Sequence, residues 1–343
     1  MATMKEIAAL TGLSRGTVDR VLNGRGHASQ KTVDKVMQAA KELNYSPSRV
    51  ARSLSVRKQN LLFTFLLPNP AVLPFFSLVE WGAVRMAARL RESGVEIRIR
   101  HTSGWDEAEY LRLLDEAAAQ HSSGIAIAGP DTECIARRLA EISASGIPVI
   151  TVNTEIKNSG RIAYVGNDSY QAGQTAAGLI DLFTREDIHL GIVFGDIRNS
   201  CHMERIAGMR DGLRALGRPW QEHFFVCNNE DDFDSYDLLK DSLRRFPEVN
   251  MLYIATGNGV YGCCRAIEKL RLKRPPRVIC HDESANLREP FSKGLLSATI
   301  CQEPRQQGER PLQILFDYLA LGVPPEQELS YTDISIYTRE NFI

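Results

Sequence analysis

The sequence predicts an α/β protein in three parts: a small basic head of three helices, a short linker that becomes a hinge helix, and a two-lobed body of parallel sheets. Three observations carry this prediction. At 343 residues the chain is too long for one ordinary core. Its charge is divided: residues 1–60 hold 11 Lys+Arg against 4 Asp+Glu, whereas the remaining 283 hold 30 against 38, so a net charge of −1 conceals a cationic head on an acidic body. From Leu61 onward, short apolar runs alternate with stretches of helical length, the texture of a parallel sheet with helices on both faces.

The head comes first, at 1–46. In "KEIAALTGLSRGTVDRVLNG", Ile7, Ala8 and Thr11 fall at helical spacing, and Val18, Val21 and Leu22 repeat it, so two helices each have one face fit for burial. Gly12 permits the left-handed backbone that ends the first, and Ser14 stands as N-cap of the second. The second helix is then left with Ser14, Arg15, Gly16, Asp19 and Arg20 facing outward, a polar, cationic strip that suits a DNA groove. A third helix is predicted over Gln30 to Leu43, with Val33, Val36, Met37 and Ala40 inward.

The linker, 47–60, has Pro47 at a first helical turn. It carries a short apolar stripe of Val50, Ala51 and Leu54 among Arg49, Arg52, Arg57 and Lys58. So short a stripe cannot hold an isolated helix, and the segment is expected to become helical only when covered.

The body is predicted to hold strands at 61–67, 96–100, 124–129, 147–152, 162–166, 190–195, 223–227, 251–255, 277–282 and 295–302. Ten strands are many for one parallel sheet, which points to two similar lobes. Ligands bind such sheets at the carboxyl ends of the strands. There stand Asn69, Phe75 and Phe76, Asn153, Asn167, Arg205, Thr256, Asn258, His281-Asp282 and Gln302.

The seven scattered cysteines read as reduced core residues. With no C-x-x-C pair and no His-x-x-x-His, neither a metal nor a cofactor is expected. The N-terminus lacks the apolar stretch of a signal peptide and nowhere do eighteen apolar residues run together, so a soluble, cytoplasmic protein is expected, with no membrane partner.

"GNGVYG", with Gly257, Gly259 and Gly262, follows a strand, and Asp282 lies twenty residues beyond it, which formally satisfies a dinucleotide fingerprint. The plainer reading is a glycine-rich turn at the rim of a cleft. His202-Glu204 and His281-Asp282 have the composition of acid/base pairs, but no nucleophile elbow accompanies them, and an enzyme is not expected.

Over essentially its whole length the chain resembles the lactose-repressor/galactose-repressor family of bacterial transcription regulators. The head, "MKEIAALTGLSRGTVDRVLNG" followed by "KTVDKVMQAAKELNYSPSRVARSL", is similar to that family's helix-turn-helix and hinge; "YVGNDSYQAG", "RIAGMRDGL", "HDE" and "QEPRQQG" resemble its effector-binding core, which is like that of periplasmic sugar-binding proteins. The resemblance implies a homodimer on a palindromic double-stranded operator, with the second helix in the major groove and paired hinge helices in the minor groove. It places Arg15 and Gly16 at the base-choosing positions, Thr17, Arg20 and Asn23 against bases or phosphates, and Leu54 as a wedge between base pairs. It extends the DNA-facing set to Thr3, Ser14, Asp19, His27, Ser29, Thr32, Arg49 and Ala51. Gly16, with no side chain, and Asp19, an anion near the duplex, depart from the usual pattern.

In the body the resemblance implies a sugar or polyol effector, with Phe75 and Phe76 against its ring and Asn153, Asn167, Arg205, Asp282 and Gln302 bonding its hydroxyls; Asn69, Thr256 and Asn258 complete the set. Asn153 stands where sugar binders of the family usually have an acid, and either Thr256 or Asn258 fills a place usually held by asparagine. Lobe 1 is expected over about 61–166 and 302–326, and lobe 2 over about 167–301 and 327–343. The functional expectation is therefore an effector-controlled DNA-binding regulator, a repressor; a solute-binding protein or a nucleotide-dependent enzyme is the alternative.

Overall fold

A computed structural model of the chain describes residues 3–22, 28–43, 59–197 and 199–342. It divides into two compact units, 1–60 and 61–343.

In the first unit, α1 (Met4–Thr11) begins with a capping box: the Thr3 hydroxyl accepts from the Glu6 amide while the Thr3 amide donates to the Glu6 carboxylate at 2.6 Å. It ends at Gly12, whose φ of 65° is left-handed. Ser14 then accepts from the Thr17 amide at 3.1 Å and starts α2 (Arg15–Leu22), and Ser29 does the same for Thr32 in α3 (Gln30–Glu42). Ile7, Val18, Val36, Ala39 and Ala40 form the core, with Val21 and Leu22 packed at its edge. Met37 is exposed, contrary to the spacing argument, because α3 turns Ala39 inward instead.

The second unit holds two sheets. The first is built from β1 (Leu62–Pro68), α4 (Phe76–Arg91), β2 (Glu96–Thr102), α5 (Glu107–Ala119), β3 (Gly124–Ile127), α6 (Glu133–Ala144), β4 (Val149–Val152) and β5 (Ala163–Gly166). The chain then crosses into α7 (Ser169–Phe183), β6 (Ile188–Phe194), α8 (Ser200–Ala215), β7 (Trp220–Cys227), α9 (Asp232–Arg245), β8 (Met251–Ile254), α10 (Val260–Leu270), β9 (Arg277–His281), α11 (Arg288–Ser292) and β10 (Ala298–Cys301). It returns with α12 (Pro304–Leu321) and β11 (Leu329–Tyr331), and crosses once more into β12 (Ser335–Tyr337).

The strand orders are β11-β5-β4-β3-β1-β2 and β12-β10-β9-β8-β6-β7, every pairing parallel except β10 with β12. The central strands are buried on both faces, as sheets covered on two sides require.

One lobe boundary needs correction. Residues from 327 were expected in lobe 2, yet β11 pairs with β5 and extends the first sheet. The final crossing follows at Thr332, whose amide donates to Gly166 O at 2.7 Å and whose hydroxyl donates to Gln302 O at 2.9 Å, so all three crossing segments are tied together. Both late strands are only three residues long and none of their residues is fully buried, so neither makes the longer apolar run by which the others were found.

All seven cysteines are free thiols, five of them buried. No helix among the described residues is long and apolar enough to cross a membrane.

Candidate functional site

The first candidate surface is the outer edge of α2. Val18 is fully buried, which turns Ser14, Arg15, Gly16 and Arg20 to solvent and leaves Thr17 and Asp19 half-covered. The hydroxyls of Ser14 and Thr17 bond each other at 2.9 Å, and Arg20 Nε donates to Gly16 O at 3.3 Å. Thr3, Ser29 and Thr32 are engaged at the starts of α1 and α3, so each of these expected DNA-facing groups also holds a helix terminus in place. Arg15 has no such local task and is the freest of the cationic readers on this edge. Asn23, His27, Arg49, Ala51 and Leu54 lie outside the described residues.

The second candidate is a crevice of about 300 Å³, part of it open to solvent, at the carboxyl ends of the strands in both sheets. Lobe 1 contributes Phe75 and Phe76 at the start of α4, Trp105 after β2 and Asn153 after β4; lobe 2 contributes Asn199, His202 and Arg205 at the start of α8, Glu230 after β7, Thr256 and Asn258 after β8, and Asp282 after β9; Gln302 lies at the crossing. Asn153, Glu230 and Asp282 have φ of 64°, 59° and 68°. Left-handed backbone at three non-glycine residues around one crevice is strain concentrated where side chains must be aimed.

A chain of amides spans the crossing. Gln302 Nε2 donates to Asp282 Oδ1 at 2.6 Å, and Asn153 Nδ2 donates to Gln302 Oε1 at 3.3 Å and to Gln307 Oε1 at 3.1 Å. Asn153 therefore anchors an amide network where a family sugar binder would carry an acid. Arg205 is almost wholly buried; its Nη1 donates to Ala255 O at 3.0 Å, while Nε and Nη2 have no partner among the described residues. Burial raises the Asp282 carboxyl above its usual range, against the pull of Arg205 and the Gln302 bond. Glu230 is likewise raised by burial, although Trp105, Asn258 and Thr256 bond its charged form; Trp105 Nε1 donates to Oε2 and Thr256 Oγ1 to Oε1, each at 3.2 Å. His202 lies 3.7 Å from Glu230 and is pushed down to about 3, by burial first and then by the Arg205 cation.

Phe75, Phe76, Arg205, Asn153, Thr256, Asn258, Asp282 and Gln302 are thus brought together around one space. Asn69 and Asn167 are not. Asn69 Oδ1 accepts from the Ala71 amide and stabilises the turn after β1; Asn167 is buried, with Oδ1 accepting from Ser169 Oγ at 3.4 Å. Both follow strands, but local turn bonding takes their side chains. Trp105, Asn199, His202 and Glu230 were missed, although the rule of looking just past each strand would have reached Trp105 after β2 and Glu230 after β7 had it been applied there.

Neither His202-Glu204 nor His281-Asp282 forms a pair in the fold. His202 faces Glu230 rather than Glu204, and His281 is bonded through Nε2 to the Tyr253 hydroxyl at 2.8 Å. The glycines of "GNGVYG" are close-packing residues: a Cβ on Gly257 would stand 2.8 Å from Asp282 Oδ2, and one on Gly262 would stand 1.9 Å from Asp232 O. Asp282 is committed to Gln302 and the crevice.

Comparisons with known proteins agree with this division. The family description "Bacterial regulatory proteins, lacI family" matches residues 3–48, and "Periplasmic binding protein domain" matches residues 64–322. The ribose operon repressor of Haemophilus influenzae is 26% identical over 322 residues, covering 92% of this chain and 91% of that protein. The HTH-type transcriptional repressor PurR of Vibrio parahaemolyticus is 27% identical over 322 residues, with 92% of each chain covered. Among solved structures, GanP, a glucose-galactose binding protein from Geobacillus stearothermophilus, shares the fold of the body with a TM-score of 0.74 at 24% identity, covering 82% of this chain and 98% of that one.

Proposed function

The chain belongs to the lacI family of bacterial regulatory proteins, its body a periplasmic binding protein domain, and from that membership we propose how it is controlled. It is a DNA-binding transcription regulator. As a homodimer it represses transcription from a palindromic operator, one α2 reading each half-site, and its hold on DNA is set by a small sugar-like or polyol effector in the crevice. On α2, Arg15 and Gly16 choose bases, and Thr17 and Arg20 meet bases or phosphates.

The observation that carries the effector reading is the pair of unpartnered donors on Arg205. An unmade hydrogen bond on a buried charged group costs on the order of 1–3 kcal/mol or more. A polyhydroxyl ligand removes that cost because each hydroxyl accepts as well as donates, giving acceptors to Arg205 and donors to Asp282. Since both lobes line the crevice, such a ligand stabilises the closed arrangement of the lobes over the open one. Only that differential affinity can be transmitted to the operator.

Selection from a random pool of duplex fragments, followed by fluorescence anisotropy on the full chain, tests the reading. A selected fragment is expected to bind roughly 10³-fold or more tightly than random duplex. Uniform, salt-governed binding of every fragment would sink it.

A further inference from the structure

The crevice carries one carboxyl that the sugar reading does not use. Besides the Cys201 thiol, four ionisable side chains line it: Arg205, Asp282, His202 and Glu230. Arg205 and Asp282 offset each other, each stabilising the other's charged form. His202 is neutral at physiological pH, since its burial and the nearby guanidinium hold its proton off down to about 3. Glu230 is left over. It is almost fully buried, its side-chain hydrogen-bond donors are an indole, a hydroxyl and the Asn258 amide, all neutral, and its only ion-pair geometry among the described residues is with that neutral imidazole.

A carboxylate in such a place is costly unless a cation reaches it. Trp105, which donates to it, is also the side chain whose ring best attracts a cation, and it lines the same space in edge contact with Phe76, ring centroids 5.8 Å apart. An indole and a carboxylate side by side present the two features that an ammonium satisfies together. Elsewhere on the lining, Arg205, Asp282, Asn153 and Gln302 offer the mixture of donors and acceptors that hydroxyls satisfy.

We infer that the effector is an amine-bearing carbohydrate, with its ammonium against Glu230 beside Trp105 and its hydroxyls shared by Arg205, Asp282, Asn153 and Gln302. This rests on the crevice being the effector site proposed above. The amine, not merely an extra hydrogen-bond donor, decides the selection, because no charged donor among the described residues pairs with Glu230.

The test uses the full chain and matched sets of neutral and charged ligands: D-glucosamine, D-glucose and N-acetyl-D-glucosamine, with the galacto and manno sets alongside, at a pH where the free amine is protonated. Thermal shift and titration calorimetry read the binding. In at least one set the hexosamine is expected to bind roughly tenfold or more tightly than both neutral members, and Glu230→Gln is expected to abolish that preference. A parent hexose or an N-acetyl derivative that binds as well as the amine overturns the inference while leaving the crevice as effector site; so does a Glu230→Gln chain that keeps the amine preference. Silence from every member of every set overturns both. Should Glu230→Gln fail to fold, the ranking within each set on the unaltered chain still decides.

Discussion

Single side chains here are read most securely where a local rule fixes them. Gly12 and Ser14 lie within one turn of each other, and their roles as helix end and helix cap follow from backbone sterics and one hydrogen bond. The same capping leaves Arg15 on the exposed edge of α2 with no structural duty. Arg15→Ala is therefore expected to change which bases are preferred, by about 1–3 kcal/mol at one position of each half-site, without loss of stability; repeating the random-pool selection with the variant checks this, and unchanged preferences would remove Arg15 from base reading. Asp282→Ala is expected to abolish the effect of ligand on operator binding while ligand-free DNA affinity stays as it was. Anisotropy with and without the best-binding carbohydrate measures both. The carboxylate receives Gln302 Nε2 at 2.6 Å, so its removal also unpins the amide chain at the crossing. Asn69 and Asn167 show where reading residue by residue fails: position after a strand is visible in a sequence, but whether the side chain bonds its own turn is not.

Between elements, glycines decide how closely helices approach. α7 and α8 cross with a Cβ on Gly173 placed 2.0 Å from Arg205 O, and one on Gly208 placed 2.0 Å from Tyr170 O. The glycines in "YVGNDSYQAG" and "RIAGMRDGL" thus seat the turn of α8 that carries Arg205 into the crevice. Gly208→Ala is expected to lower the melting temperature. Overpacking against backbone costs about 1–3 kcal/mol, more than the roughly 1 kcal/mol that alanine gains in helix propensity. Gly178→Ala, in α7 with no atom within 4 Å of the new Cβ, is expected to raise it, since propensity then acts alone. Paired thermal melts check the two signs; equal shifts would mean the crossing is looser than described. The central strands were found from their apolar runs, because burial on both faces leaves little choice of residue. β11 and β12 were not, because short edge strands are specified by the partner they meet.

Across the whole molecule, the buried charges of the crevice tie stability to pH. His202 titrates near 6.5 when unfolded but only at about 3 in the fold, so between those values the unfolded chain binds the extra proton and stability falls as pH falls. The raised carboxyls of Asp282 and Glu230 act in the opposite direction, favouring the fold while they hold their protons and weakening it as pH rises through their native titration. Comparison of the unaltered chain with His202→Asn isolates the histidine. The variant should show the shallower loss of stability from pH 6.5 toward 3, the difference approaching about 1.4 kcal/mol per pH unit, as read from denaturant titrations at each pH. Parallel curves would show that His202 takes up its proton in the fold.

What the sequence by itself determined was everything carried by local pattern and summed charge: a basic three-helix head and an alternating body whose strand ends gather polar groups. Helical and strand periodicity, caps and net charge are properties of neighbours along the chain, so they survive in one dimension. The tertiary structure alone decided which strand-end groups face a common space, that Trp105 and Glu230 join them from opposite lobes, and that Arg205 is left with donors unmet. Those facts depend on where two sheets meet, over a hundred residues apart in sequence, and on the desolvation that follows when they do.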